Sequence, residues 1–261
     1  MSEGYSCFTF EVDEKKIARV NFTRPDLHNR FDEPMHSEFA RLMLDIWGRE
    51  DIRVLILTAE GRSWSAGGDL DMMLRQNNDK DLRDRITWEA RVIFDTFIAL
   101  PFPVIAAVHG AAIGLGATIA TLSDIVVAAA DAKFADPHVD LGLVAGDGGI
   151  ISWSQAIGVT RAKRFIFTGE RVSGRKAYEM GLVSDVVDTP EEVYPAARAI
   201  AETIAAKPKS GVIGTKRAFT KLTKQIADPV FELGLVYEME AMGGPEVLAA
   251  VQGMQEAMKR K

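Results

Sequence analysis

Two glycine-rich stretches, Ser65-Ala66-Gly67-Gly68-Asp69-Leu70 and Gly110-Ala111-Ala112-Ile113-Gly114-Leu115-Gly116, stand about 45 residues apart, and each joins a β-like run to a helix-like run. A strand-to-helix turn of small residues leaves backbone N–H groups free at a helix start, where the dipole favours negative charge. Two such turns facing one another are equipped to hold a single oxygen. That is the arrangement that stabilises an enolate or a tetrahedral oxyanion.

The elements that must position these turns alternate between β and α signals. Cys7–Val12 and Lys16–Phe22 read as paired strands around Asp13-Glu14, and Pro34–Trp47 carries Met35, Phe39, Leu42, Met43 and Ile46 at helical spacing. Short, almost wholly apolar runs at Arg53–Thr58, Pro103–Val108 and Ile125–Ala128 predict strands covered on both faces. Helices are predicted at Leu82–Leu100, Leu115–Leu122, Gly149–Ile157, Thr160–Thr168 and Ser173–Met180. The fold class is therefore α/β. From about Thr189 the β signal stops, and Glu191–Ala206, Gly211–Gln225, Val230–Met242 and Pro245–Lys259 read as four helices divided by Lys207-Pro208, Asp228-Pro229 and Gly243-Gly244-Pro245. This divides the chain into a core at 1–200 and a helical region at 201–261 that packs on the core or on another subunit.

Composition excludes several classes. The chain has 261 residues, 47% hydrophobic and 26% charged, enough to bury a sizeable core, and its net charge of −6 argues against a nucleic-acid or membrane-surface binder. A single cysteine, Cys7, allows no internal disulfide and no multi-thiolate metal site. With no apolar signal core and no run long enough to span a bilayer, the expected location is the cytoplasm. The four histidines show no H-x-x-x-H spacing, so no metal is expected. His109 is expected to shape a turn and His36 to be exposed on its helix.

The common glycine motifs fail in turn. Gly114-Leu115-Gly116-Ala117-Thr118-Ile119 lacks the third glycine and the early βαβ context of a dinucleotide fingerprint, no Gly-Lys-Ser/Thr closes a phosphate loop, and Ser63-Trp64-Ser65-Ala66-Gly67 is not a nucleophile elbow.

The combination of Asn21–Asn29, Ser63–Leu70, Ala107–Gly116, Phe167–Glu170 and Ala177–Val183 resembles the crotonase (enoyl-CoA hydratase/isomerase) superfamily over nearly the whole chain. The resemblance implies a spiral core of repeated β-β-α turns and a C-terminal helical oligomerisation region building a homotrimer or dimer of trimers. It implies an acyl-CoA thioester as substrate partner and no separate cofactor, coenzyme A entering as part of that substrate. It assigns the backbone N–H groups of Gly68 and Leu115 to an oxyanion hole, and coenzyme A contacts to Asp26, His28, Ala66, Asp69 and Leu70, mostly through main-chain atoms. Lys207, Lys209, Lys216, Arg217, Lys221 and Lys224 are candidates for the coenzyme A phosphates. Trp64, Met72, Met73, Trp88 and Trp153 are candidate pocket or core residues, and the segment around Leu74–Lys80 is expected to be a loop that shapes the acyl pocket.

The chain departs from the resemblance where the chemistry is decided. Where hydratases of that superfamily carry two glutamates, this sequence has Thr118 and His138. Threonine is no base near neutral pH, although it can orient a water or a carbonyl. Imidazole both takes and returns a proton there. Asp147, nine residues after His138, is the expected acceptor of its Nδ1–H, with Asp140 and Asp136 as competing partners. The leading reading is a hydratase- or isomerase-type enzyme with His138 and Asp147 as acid/base. A β-diketone or thioester hydrolase using the same pair, and a non-catalytic acyl-CoA binder, are the alternatives.

Overall fold

The computed structural model describes residues 4–260. The chain begins with an antiparallel pair, β1 (Phe8–Val12) and β2 (Ile17–Phe22), followed by helix α1 (Glu33–Trp47). Three β-β-α turns then wind in succession: β3 (Val54–Ala59), β4 (Ser63–Ser65), α2 (Leu70–Asn78) and α3 (Lys80–Ala99); β5 (Val104–Val108), β6 (Ala111–Ile113) and α4 (Leu115–Leu122); β7 (Ile125–Ala129), β8 (Lys133–Ala135) and α5 (Gly149–Ile157). Helix α6 (Val159–Thr168), β9 (Val172–Ser173), α7 (Gly174–Met180), β10 (Asp185–Val187), α8 (Pro190–Ala205), α9 (Lys209–Met242) and α10 (Pro245–Lys259) complete the chain.

The strands form two sheets. The longer ones line up in the order β1-β2-β3-β5-β7-β10, parallel from β2 onward, and the short ones in the order β4-β6-β8-β9. In the large sheet β3 and β5 are apolar and buried at nearly every position, the pattern of strands covered on both faces. Helix α8 packs across β3, β5 and β7. At one end Phe8, Phe22, Phe31, Phe39 and Trp64 meet edge to face, with centroid separations of 5.3 to 6.5 Å. The short strands of the second sheet escape sequence periodicity because two or three residues carry no measurable alternation.

Three local expectations are corrected. The segment Leu74–Lys80 is helical rather than a loop, interrupted only at Asp79, which ends α2 and caps α3 by accepting the Leu82 N–H at 3.0 Å. The helices expected at Gly211–Gln225 and Val230–Met242 are one continuous α9 of 34 residues, with Pro229 inside it. Proline removes one backbone hydrogen bond, and the carbonyl it frees belongs to exposed Gln225. On either side of the proline, Ala227 and Phe231 are buried, Phe231 stacking on Phe94 of α3 at 4.0 Å, so tertiary packing carries the helix through. Lys216 anchors the first half of α9 through Asp124 at 2.7 and 2.8 Å, which leaves its charge spoken for rather than free for a phosphate.

His36 is buried, not exposed. It sits on the inner face of α1, edge-on to Phe31 at 5.7 Å, and burial pushes its pKa down to about 4. In the unfolded chain it titrates near 6.5, so between about 6.5 and 4 the unfolded state binds the extra proton and the fold loses stability as pH falls, by roughly 3 kcal/mol at the lower end. Replacing His36 with leucine is expected to move the acid-unfolding midpoint, followed by circular dichroism, to lower pH. An unchanged or raised midpoint would show that other groups govern acid unfolding.

Candidate functional site

Three neighbouring strands of the small sheet deliver the site. β4, β6 and β8 run parallel, with Ser63 and Ser65 opposite Ala111 and Ala112, and Ala111 to Ile113 opposite Lys133 to Ala135. Their C-terminal ends therefore lie side by side. After β4 comes Gly67-Gly68, after β6 Gly114-Leu115, and after β8 Asp136-Pro137-His138. Gly114 N–H donates to Ala135 O at 2.9 Å, tying the second turn to the third strand.

The first two turns touch. Gly67 has φ of +81°, and a Cβ there would lie 2.4 Å from Ile113 O and 3.5 Å from Gly114 Cα, so only glycine admits this approach. A Cβ on Gly114 would stand 3.8 Å from His138 Cε1, which places the imidazole directly over the second turn. Leu115 is the first residue of α4, so its N–H has no intrahelical acceptor. Neither that N–H nor the N–H of Gly68 donates to a protein acceptor among the described residues. The Leu115 side chain is buried in the core, out of the way of its own amide.

His138 lies in a short 3-10 turn, His138–Leu141, and its hydrogen bonding corrects the expected pairing. Nδ1 is bonded to Asp136 Oδ1, a strong contact two residues away, and not to Asp147. Asp147 faces the other ring nitrogen, its Oδ2 3.6 Å from Nε2. Its other oxygen is held by Thr118 Oγ1–H at 2.9 Å and Gly149 N–H at 3.2 Å. Thr118 thus fixes a carboxylate. Asp140 is exposed and lies against Gly169, away from the imidazole.

One further residue belongs to the cluster and escaped sequence reasoning. Glu238 reaches in from α9, its Oε1 3.9 Å from His138 Nε2. The signal was available: Phe231, Gly234, Leu235, Glu238 and Met242 form the buried stripe of α9, and a carboxylate on such a stripe is out of place unless it has a task. Its position depends on a backbone contact, because a Cβ on Gly146 would lie 2.3 Å from Gly234 O and 2.8 Å from Glu238 Oε2. The C-terminal region is therefore part of the site.

His138, Asp136, Asp147 and Glu238 are all at least nine-tenths buried, and no lysine or arginine pairs with them among the described residues. Burial works to lower the His138 pKa, but Asp136 and Asp147 overcome it, helped by Glu238, and hold it well above 6.5. Burial raises Asp147, and pushes Glu238 up to about 8, so Glu238 is predominantly protonated at neutral pH. The cluster balances its charge with protons.

The other expected contacts lie along the mouth of the first turn. Asp26 is exposed in the turn Pro25–Leu27, and Ala66 N–H donates to His28 O at 2.9 Å, bringing Asp26, His28 and Ala66 together. Asp69 spends its side chain on capping α2, through Met72 N–H at 2.7 Å, and on Arg30 at 3.0 Å, while Leu70 opens that helix. His109 bonds Gly61 O at 2.8 Å. Trp64 and Trp153 are core residues, whereas Trp88 is exposed. A cavity of about 680 Å³ along the first half of α9, lined by Thr121, Ser152, Lys216 and Phe219 among others, holds Lys207 and Lys216 of the phosphate candidates but neither glycine turn nor His138 or Asp147.

The enoyl-CoA hydratase/isomerase family model matches residues 13–239, most of the chain. The chain belongs to the enoyl-CoA hydratase/isomerase family. It is 32% identical to a short-chain-enoyl-CoA hydratase of Clostridium acetobutylicum over 88% of this chain and 86% of that protein. Among solved structures, an enoyl-CoA hydratase/isomerase from Mycobacterium paratuberculosis superposes with a TM-score of 0.89 at 32% identity, covering 96% of this chain and 99% of the other. A beta-diketone hydrolase from Anabaena, bound to (S)-3-oxocyclohexyl acetic acid, superposes with a TM-score of 0.83 at 30% identity, covering 92% and 95%. This chain is thus an enzyme of the hydratase/isomerase family, with the crotonase fold.

The Gly146–Gly234 contact is open to a direct test. Gly146→Ala forces α9 outward, with an expected loss of about 1–3 kcal/mol in urea unfolding and a fall in activity as Glu238 withdraws from His138. A variant as stable and as active as the parent would show that α9 has room to spare.

Proposed function

We propose that this enzyme activates water at an acyl-CoA thioester, with His138 moving the proton and the N–H groups of Gly68 and Leu115 stabilising the thioester oxyanion. The observation that carries the reading is the two-sided holding of the imidazole: Nδ1 bound by Asp136, Nε2 turned toward Asp147 and Glu238, and the ring set over the Gly114-Leu115 turn. Asp136 selects the tautomer and supports the imidazolium. In hydration, the water oxygen bonds to Cβ of the conjugated thioester, its proton passes to Nε2, the charge collects on the thioester oxygen as an enolate, and Cα is then protonated. Asp147, steadied by Thr118, replaces one of the missing glutamates in holding the water, and neutral Glu238 is placed to donate a proton. Asp26, His28, Ala66, Asp69 and Leu70 form the coenzyme A side in this reading.

A second reading is favoured by the likeness to the Anabaena beta-diketone hydrolase. There the same water attacks a ring carbonyl carbon, the bond to the central carbon breaks, and that carbon takes the proton from His138. Both reactions use one site. Assembly into trimers is supported by the outer face of α9, where Phe219, Leu222, Ile226, Leu233, Val236 and Tyr237 stand exposed.

Crotonyl-CoA and a cyclic β-diketone, each offered to the purified enzyme and followed by absorbance and product mass, separate the two readings. Hydration of the thioester is the expected result, whereas cleavage of the diketone without coenzyme A would transfer the assignment to the second. His138→Gln should lower either rate by about 10²–10⁴-fold; a rate within a few-fold of the parent would remove His138 from the chemistry.

The pH dependence has a definite sign. The neighbouring carboxylates raise the His138 pKa, so the basic form, and with it kcat/KM, increases as pH rises toward that elevated pKa. Glu238→Gln removes a carboxylate that favours the imidazolium and should shift this limb to lower pH. A limb that stays in place would separate Glu238 from the titration of His138.

A further inference from the structure

Ser65 ends β4 two residues before Gly67 and is fully buried. Its hydroxyl makes two hydrogen bonds, accepting the Gly67 N–H at 3.2 Å and donating to Asn29 O at 2.9 Å. A serine that bonds the backbone two residues on in this way sets the shape of a turn. The same side chain packs against the second turn, because a Cβ on Gly116 would stand 2.7 Å from Ser65 Cβ and 2.8 Å from Oγ. One hydroxyl therefore lies against both the turn that carries Gly68 and the turn that carries Leu115.

Asn29, which anchors that hydroxyl, is itself held on every side. It is fully buried with φ of +50°, a conformation asparagine tolerates better than most residues. Its side chain accepts the Arg24 N–H and donates to Glu60 O and Ser63 O, each at 2.9 Å, which ties the loop before α1 to the start of β4. Two residues further on, the Phe31 N–H donates to Gly67 O at 2.7 Å. The Gly67-Gly68 peptide is trans, so its N–H points opposite to its C=O. The bond from Phe31 thus turns the Gly68 N–H away from Phe31, where it meets no protein acceptor among the described residues. Ser65 fixes the peptide before Gly67 and Phe31 fixes the peptide after it, and Gly67 between them is the softest link in the backbone.

We propose that Ser65 is a positioning residue of the oxyanion hole: its hydroxyl, anchored on Asn29, holds Gly67 so that the Gly68 amide stays aimed at the reacting carbonyl oxygen. The proposal rests on the reading above in one respect, that the Gly68 N–H meets a carbonyl oxygen of the substrate. Preorganised donors of this kind act because they need not reorient as charge develops on that oxygen. Without the hydroxyl the Gly67 N–H loses its acceptor and the turn gains freedom, so the Gly68 N–H must be aimed again in each turnover. A hydroxyl that served packing alone would alter stability and leave the carbonyl untouched.

The test compares the full chain with its Ser65→Ala and Ser65→Cys variants, circular dichroism confirming that each is folded. With crotonyl-CoA, Ser65→Ala should lower kcat by about 100-fold while KM stays within a few-fold, because the lost alignment matters in the transition state. Ser65→Cys keeps a weak donor and acceptor and should recover part of the rate. Butyryl-CoA labelled with carbon-13 at its carbonyl cannot be hydrated and reports on the hole directly. Bound to the parent, its carbonyl stretch in isotope-edited infrared spectra should fall below the value in water, and Ser65→Ala should lose most of that shift. Crystal structures of the two proteins should show the Gly67-Gly68 peptide rotated in the variant. A kcat for Ser65→Ala within a few-fold of the parent, or a carbonyl shift that survives the substitution, would overturn the positioning role and leave the thioester reading standing. A parent that does not shift the thioester carbonyl, together with a rotated peptide and slowed cleavage of a cyclic β-diketone in Ser65→Ala, would remove the thioester reading and keep the positioning role.

Discussion

The parallel register of three very short strands is the constraint on which the site depends. β4, β6 and β8 contribute three residues each, yet their pairing sets the Gly67-Gly68 turn, the Gly114-Leu115 turn and the Asp136–His138 segment in a row. Strands this short have little stability of their own. They are held because each continues a β-β-α unit whose longer strand, β3, β5 or β7, lies in the buried middle of the large sheet. A slip of one residue would turn each of the following segments to the opposite face of the sheet. The burial of β3, β5 and β7 is therefore also what keeps two backbone amides and an imidazole in position.

Charge balance is the second constraint. Three carboxylates and one imidazole are packed away from solvent, and burial of unpaired charge is far too costly to leave uncompensated. The cluster meets that cost by retaining protons, on His138 beside Asp136 and on Glu238. Groups whose pKa values are pushed apart in this way can divide acid and base work between them.

Helix α9 links this chemistry to the C-terminal region. It is pinned at one end by Lys216 on Asp124, in the middle by Phe231 on Phe94, and beyond Pro229 by the backbone contact of Gly234 with Gly146. Those three anchors bring Glu238 across 100 residues of chain to His138. The inner face brings Glu238 beside His138 while the outer face exposes a row of apolar side chains.

The sequence by itself determined the α/β class, the helices around Leu115–Leu122 and Gly149–Ile157 and the two glycine turns, because propensity, hydrophobic period and turn chemistry are local properties; the candidacy of His138 came from the family resemblance. It was silent on the second sheet, whose strands are shorter than any period. It also placed His36 outside, broke α9 at Pro229 and paired His138 with Asp147. Only the tertiary structure decided those matters: Phe31 covers His36, packing on α3 carries α9 past its proline, and the turn after β8 brings Asp136 to Nδ1 while leaving Asp147 nearer Nε2. Glu238 marks the limit most clearly, since a residue on one helix can be read as buried from its stripe, but what it is buried against depends on contacts that no local pattern encodes.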